Sequence, residues 1–168
     1  VVRYGNVMGS RGSVIPFFLK QKKKGILTIT DKRMTRFNIT MDGGVNFVLD
    51  CLKLMWGGEI FVPKIPSYRI MDVANAIAPD IDLEYIGIRP GEKLHEEMIT
   101  QTDAMNSVEF NNYYVVLPST PLWDVERFKN ESNPSRGKYC DFGFSYNSGN
   151  NKEFLSVDDL KKLVKENL

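Results

Sequence analysis

Residues 88–96 read IRPGEKLHE: an arginine before a rigid Pro-Gly corner, then charge after charge with the only histidine of the chain among them. A guanidinium is planar, permanently charged and able to hold two phosphate oxygens at once, so sites that fix a diphosphate favour Arg over Lys. Arg89 precedes Pro90, and a residue before proline is restricted to extended backbone. A side chain launched from a fixed backbone loses less entropy when it grips a ligand. Arg36 lies in MTRFNIT, a β-patterned stretch that should set it against the body of the protein. Arg36 and Arg89 are therefore candidate anion ligands. The competing reading is a surface salt bridge of Arg89 with Glu92 or Glu96, and spacing alone leaves both open. His95 has an ordinary pKa near neutrality, but no partner acid, metal-type spacing or nucleophile accompanies it, so it reads as a structural or surface histidine.

The glycines of GNVMGSRG, at 5, 9 and 12, follow a strand-like run and precede a helix, with Asp31 nineteen residues beyond Gly12. Taken alone this resembles a dinucleotide fingerprint. The spacing is not G-x-G-x-x-G, and Pro16 sits in the helix that should pack tightly on the sheet, so a turn that lets the backbone pass close to something is the preferred reading. No tyrosine is followed four residues later by lysine, and no Ser/His/Asp or Cys/His set is suggested. No catalytic residue and no metal ligand is therefore assigned. Cys51, Met55 and Trp56 read as core. The wide separation of Cys51 and Cys140 suits a reducing cytoplasm better than a disulfide framework.

Behind a net charge of +1 lies a division. Residues 1–36 hold nine Lys or Arg against one acid, a net +8, while the other 132 hold 13 bases and 20 acids, a net −7. Such asymmetry points to an anionic partner. A basic-faced module for nucleic acid or another polyanion is the alternative function, although no aromatic residues interleave the lysines. For Lys20, Lys22, Lys23 and Lys24 the plainer reading is a solvated helix end that suits the macrodipole.

These residues need a scaffold, and 168 residues with 42% hydrophobic content allow one core of ordinary size. No apolar run approaches the roughly 20 residues that span a bilayer. VVRY reads as a strand cut from a larger sheet, so a fragment is expected. Ser13 should cap a helix that Gly25 ends. ILTIT and TRFNIT read as extended segments around a turn at Asp31 and Lys32. A helix over about 42–56 places Val45, Val48, Leu49, Leu52 and Met55 at helical spacing, with Asn46, Asp50 and Lys53 opposite. EIFVP reads as a buried strand, 71–78 as a helix, LEYIGI as a strand, 92–98 as a helix and 113–117 as a strand. Residues 118–151 read as a long irregular surface segment. A last helix opens on Ser156 with Asp159 three residues on. Alternating strands and helices favour an α/β class, and the chain looks like the later half of a doubly wound sheet.

Five motifs in order, VVRYGNVMGSRGSVIPFF, LTITDKRMTRFNIT, GGEIFVPKIPS, IGIRPGEKLHE and YNSGNN, resemble the C-terminal half of the soluble, inverting UDP-N-acetylglucosamine 4,6-dehydratases. These are extended short-chain dehydrogenase/reductases of bacterial surface-glycan synthesis. The resemblance implies the last Rossmann strand or strands plus a small α/β nucleotide-sugar-binding domain over 1–118, and an irregular extension with a C-terminal helix over 119–168. It implies NADP as cofactor, with Tyr4, Gly5 and Asn6 beside the nicotinamide. UDP-N-acetylglucosamine is the implied substrate, with Asn6 reaching the sugar and Thr28 and Thr30 near the uracil. Arg36 and Arg89 would clamp the diphosphate, and Glu92 would fix Arg89 or a sugar hydroxyl. The family's catalytic residues are expected in an N-terminal half. The full-length enzyme would be a cytoplasmic homo-oligomer that binds neither nucleic acid nor membrane and serves pseudaminic-acid-type glycans such as those on flagellin.

Overall fold

The computed structural model describes residues 1–167. In chain order the elements are β1 (Asn6–Val7), α1 (Val14–Lys22), β2 (Ile26–Ile29), β3 (Thr35–Ile39), α2 (Met41–Leu54), β4 (Ile60–Pro63), β5 (Ser67–Arg69), α3 (Ile70–Ile77) and β6 (Asp82–Tyr85). There follow β7 (Glu97–Ile99), α4 (Gln101–Ala104), β8 (Ser107–Glu109), β9 (Tyr113–Val116), α5 (Val125–Glu131), β10 (Lys138–Tyr139), β11 (Tyr146–Asn147) and α6 (Val157–Asn167). The class is α/β, and the chain folds into two compact units that interleave in sequence.

One unit comprises Gly5–Met41, Ile65–Glu96 and Ser148–Leu168. Its β3 lies between β1, which it pairs in parallel, and β5, which it pairs antiparallel, and β2 pairs in parallel with β6. Helix α3 packs on α1 and α6. Their shared core includes Ile15, Phe18, Leu27, Ile29, Tyr68, Val73 and Leu160. Gly5 is required by packing, since a Cβ there would stand 2.4 Å from the Cβ of Phe37. At α6 the Asp159 side chain accepts from Ser156 N–H and the Ser156 hydroxyl accepts from Asp159 N–H, the reciprocal cap its sequence announces.

The other unit comprises Val1–Tyr4, Asp42–Lys64 and Glu97–Asn147. A four-stranded antiparallel sheet in the order β10-β8-β9-β4 is its frame, and β11 pairs with β7. Its interior is a cluster of rings: Phe110 stacks on Tyr113 at 5.0 Å, and Trp123 and Trp56 meet Phe128 at 4.7 and 5.4 Å.

Three sequence expectations need correction. No helix forms over 92–98, because tertiary partners take the backbone groups a helix would use. The carbonyl of Leu94 accepts from Thr35 N–H and from Arg36, and Glu96 donates to the hydroxyl of Ser148 while accepting from Ser148 N–H. The stretch 118–151 holds α5, β10 and β11 and is no mere surface segment. The Asp124 side chain caps α5 at Arg127 N–H, and Phe128 from that helix is fully buried. In α2 the buried face is not the expected one: Phe47, Cys51 and Leu54 join the ring cluster, while Val45, Leu49, Leu52 and Met55 are exposed.

Candidate functional site

The cavity-bearing unit encloses a hollow of about 340 Å³, lined by residues from β1, β2, β3 and β5, the start of α1 and the loop after β6. That volume suits a small ligand. Of the residues singled out in the sequence, Asn6, Thr28, Thr30, Arg36, Arg89 and Glu92 all line it. Tyr4 and Gly5 are not among its lining; Tyr4 is half-exposed, and Gly5 faces Phe37.

The two arginines are held differently. Arg36 is the second residue of β3 and is largely covered, its side chain 17% exposed. Its Nη1 donates to the carbonyls of Thr35, 2.7 Å away, and Leu94, 3.1 Å away, and its Nε lies 3.3 Å from the Glu96 carboxylate. The guanidinium is thus oriented before any ligand arrives. Arg89 is exposed, and among the described residues its side chain forms no ion pair. The salt bridge to Glu92 or Glu96 does not form: Glu96 is taken by Arg36, and the Glu92 carboxylate instead accepts from the backbone N–H of Arg89 at 3.0 Å. Glu92 N–H returns a bond to the Arg89 carbonyl at 3.1 Å, closing the Pro-Gly corner over Gly91, which has φ +85°. The loop is fixed and the cation at its start is left unspent.

Behind Arg36 lies a polar knot. Ser148, fully buried, places its hydroxyl 2.7 Å from that of Thr35, and Thr35 Oγ1 is 2.8 Å from His95 Nδ1. Gly149 passes so close that a Cβ would come within 2.6 Å of the His95 ring. His95 is accordingly structural, and YNSGNN supplies the serine and the glycine that lock residues 94–96 onto β3.

The rest of the wall mixes polar and apolar side chains. Gln21 binds Thr28 twice, its Nε2 donating to Oγ1 at 2.7 Å and its Oε1 accepting from the backbone N–H at 3.0 Å. Phe17 and Ile86 give apolar surface, and Ser13 lies in the lining with its buried hydroxyl unpartnered among the described residues. Tyr68 also lines the hollow; burial pushes its phenol up to about 12, so it stays protonated and can donate but cannot serve as a base at neutral pH. Reading the sequence missed Tyr68, because β5 has only three residues and follows two prolines. Its one signal was an aromatic residue in a PSYRI stretch.

Asp31 is paired within its own turn. Its carboxylate accepts from the side chain and the backbone N–H of Arg33, and that contact lowers it to about 2. Burial raises the thiols of Cys51 and Cys140, to about 12 and about 11, which leaves no nucleophile there at neutral pH. Among the described residues there is no cluster able to hold a metal ion and no helix long and apolar enough to cross a membrane.

The sequence profile of the family described as polysaccharide biosynthesis protein matches residues 1–118. The chain is 49% identical over 98% of its length to a UDP-N-acetylglucosamine 4,6-dehydratase (inverting) of Campylobacter jejuni, of which it spans 50%. It is 40% identical over 68% of its length to a UDP-glucose 4-epimerase of Rickettsia conorii, spanning 35% of that protein. Among solved structures, Pen from Bacillus thuringiensis superposes with a TM-score of 0.79 at 30% identity, covering 98% of this chain and 49% of Pen. The chain thus spans about half the length of the first of these curated relatives.

Proposed function

This chain belongs to the polysaccharide biosynthesis protein family, with the α/β fold of the C-terminal part of an extended short-chain dehydrogenase/reductase, and we propose that it forms the substrate-binding portion of a UDP-N-acetylglucosamine 4,6-dehydratase. The observation that carries this reading is a single cavity bordered by two arginines of unlike preparation, one braced and one unspent, beside two threonines and an asparagine. Arg36 and Arg89 would neutralise the diphosphate, Thr28 and Thr30 would meet the uracil, and Asn6 would reach the hexose. Glu92 acts on Arg89 through the backbone, so its part is to hold the loop.

The reaction proposed for the whole protein is an internal redox elimination: C4 of the sugar is oxidised, water leaves across C5 and C6, C6 is reduced, and C5 is reprotonated with inversion. NADP, when bound, supplies the hydride carrier. This chain would meet only its nicotinamide edge, at Asn6, which lines the hollow. In the glycine turn, Gly5 is spent on Phe37 and Asp31 on Arg33, while Gly12 lines the hollow with open space beside its Cα. Proton transfer and the Tyr-x-x-x-Lys pair belong to the remainder of the protein. What these residues contribute is placement: binding energy from the UDP end, remote from the reacting carbons, holds the hexose in register. The product would feed a pseudaminic-acid-type surface glycan, and the whole enzyme would work as a cytoplasmic homo-oligomer.

Calorimetric titration with UDP tests the reading. Arg89→Ala should weaken binding by about 1–3 kcal/mol, as expected for a charge-assisted contact; unchanged affinity refutes the role. A salt series with UDP and a short DNA duplex separates the polyanion reading, because counterion release makes duplex binding fall steeply with salt. Tight duplex binding without UDP binding would overturn the dehydratase assignment.

A further inference from the structure

Tyr68 stands directly across from Arg36 in the antiparallel pairing of β3 with β5. Residues opposite each other in such a pair project from the same face of the sheet, with Cβ atoms about 4.5–5.5 Å apart, and both side chains line the hollow. The far side of β5 is fixed as well. Ser67 N–H donates to the Glu153 carbonyl, Leu155 N–H donates to the Ser67 carbonyl, and Asn151 Nδ2 donates to the Ile65 carbonyl and the Ser67 hydroxyl. Tyr68 is 3% exposed and packs in the core cluster that includes Met34 and Ile70. A buried tyrosine hydroxyl usually finds a hydrogen-bond partner, yet among the described residues this one bonds no protein group. Nor is it sealed away, since the buried side-chain atoms without a partner there belong to Ser13, Asn38 and Ser132. The hydroxyl therefore opens onto the hollow, and the partner left to it is whatever fills that space.

We propose that the Tyr68 hydroxyl donates a hydrogen bond to the diphosphate that Arg36 neutralises, a third ligand to that anion beside the two arginines; the inference rests on the nucleotide-sugar reading of the hollow given above. Arg36 commits Nη1 to the carbonyls of Thr35 and Leu94 and Nε to Glu96, which leaves Nη2 with the Met34 sulfur, 3.8 Å away, as its partner among the described residues. A ligand group before Nη2 must be an acceptor, and an anionic oxygen has lone pairs for a second donor at its side. The phenol supplies that donor without adding charge to the site. Burial outweighs the pull of the Arg36 charge and holds the phenol at about 12, so its proton is in place at neutral pH. The base end of the hollow is less suited to this hydroxyl: Thr28 lies on β2 and Thr30 just beyond it, and β2 pairs with β6, in a different sheet from β3 and β5. Tyr68 thus sits at the arginine end, held by the pairing that also places Arg36.

The test is titration of Tyr68→Phe with UDP and with uridine, which lacks the diphosphate, followed by NMR so that millimolar affinities are read. Phenylalanine keeps the ring and its packing, so the thermal midpoint and circular dichroism of the variant should match those of the unaltered chain. UDP affinity should fall at least tenfold, as for the loss of a hydrogen bond to a charged group, while uridine affinity stays the same. Equal losses for the two ligands would put the hydroxyl on the nucleoside or on the shape of the hollow and overturn the proposal. Unchanged UDP affinity overturns it too. Arg89→Ala, titrated alongside, separates this inference from the reading beneath it. If Arg89→Ala weakens UDP binding and Tyr68→Phe does not, the nucleotide-sugar reading stands and the phenol alone is misassigned; an unaltered chain that binds no UDP ends both.

Discussion

In the cavity-bearing unit polar groups bind one another, buried Thr35 and Ser148 and half-buried Glu96 meeting behind Arg36, whereas the unit built on β4, β8, β9 and β10 fills its interior with rings. Aromatic packing is tolerant in direction and large in area. A hydrogen-bonded knot is exact in direction and small in area. A unit that must aim a guanidinium has use for the second kind, and a unit that must hold a frame for other elements has use for the first. The contrast predicts where substitutions show: in stability for the ring-filled unit, in ligand affinity for the other.

Phe128→Ala carries the largest expected effect. The ring is fully buried between Trp56, Phe110 and Trp123, and its removal should cost about 3–5 kcal/mol of unfolding free energy, measured by urea denaturation. UDP affinity of the folded protein should not change. A parallel loss of affinity would break the division of labour between the units.

That ring also shows what the sequence could and could not convey. Apolar runs bounded by caps and breakers identified β2, β3, β4, β9, α1, α3 and α6, because each is announced at its ends by residues such as Ser13, Gly25, Pro63, Pro79 and Ser156. Helix α5 has seven residues and one buried anchor, Phe128, amid charges, so no period exists to be seen. Residues 92–98 carry helix-forming types, yet Gly91 and bonds to partners 58 and 52 residues away decide their backbone. For α2 the period was right and the face wrong, because an apolar stripe does not say which partner covers it. In the site, the arginines were legible as chemistry; Tyr68 and Ser148 were not, since their roles exist only once β5 and the segment after β11 have closed on β3.

Ser148→Ala sharpens the contrast from the other side. The change leaves Glu96 N–H and the Thr35 hydroxyl short of partners in a buried place, which should lower stability by about 1–3 kcal/mol. Because those groups brace Arg36, UDP binding should also weaken, by about 1 kcal/mol or roughly fivefold. A fall in stability with unchanged affinity would make the knot structural only and remove the distinction drawn between the units.

The smallest effect is expected at Asp31, on the rim of the cavity-bearing unit beside Thr30. The side-chain bond from Arg33 is the main cause that holds its carboxyl at about 2, below the ordinary value of 3.8. A group whose pKa is lower folded than unfolded adds stability above its unfolded value and loses it as pH falls through its folded value. Its contribution should therefore be full above about pH 4 and gone near pH 2. The ion pair is exposed, so salt should weaken it. Carboxyl chemical shifts followed by NMR should place the Asp31 midpoint at about 2 and return it towards 3.8 in Arg33→Ala. UDP affinity at neutral pH should be the same in both proteins, because Asp31 and Arg33 satisfy each other and do not line the cavity. Were affinity to change with Arg33→Ala, the ligand would extend past Thr30 onto this rim, and the boundary of the site would lie further out than the hollow itself.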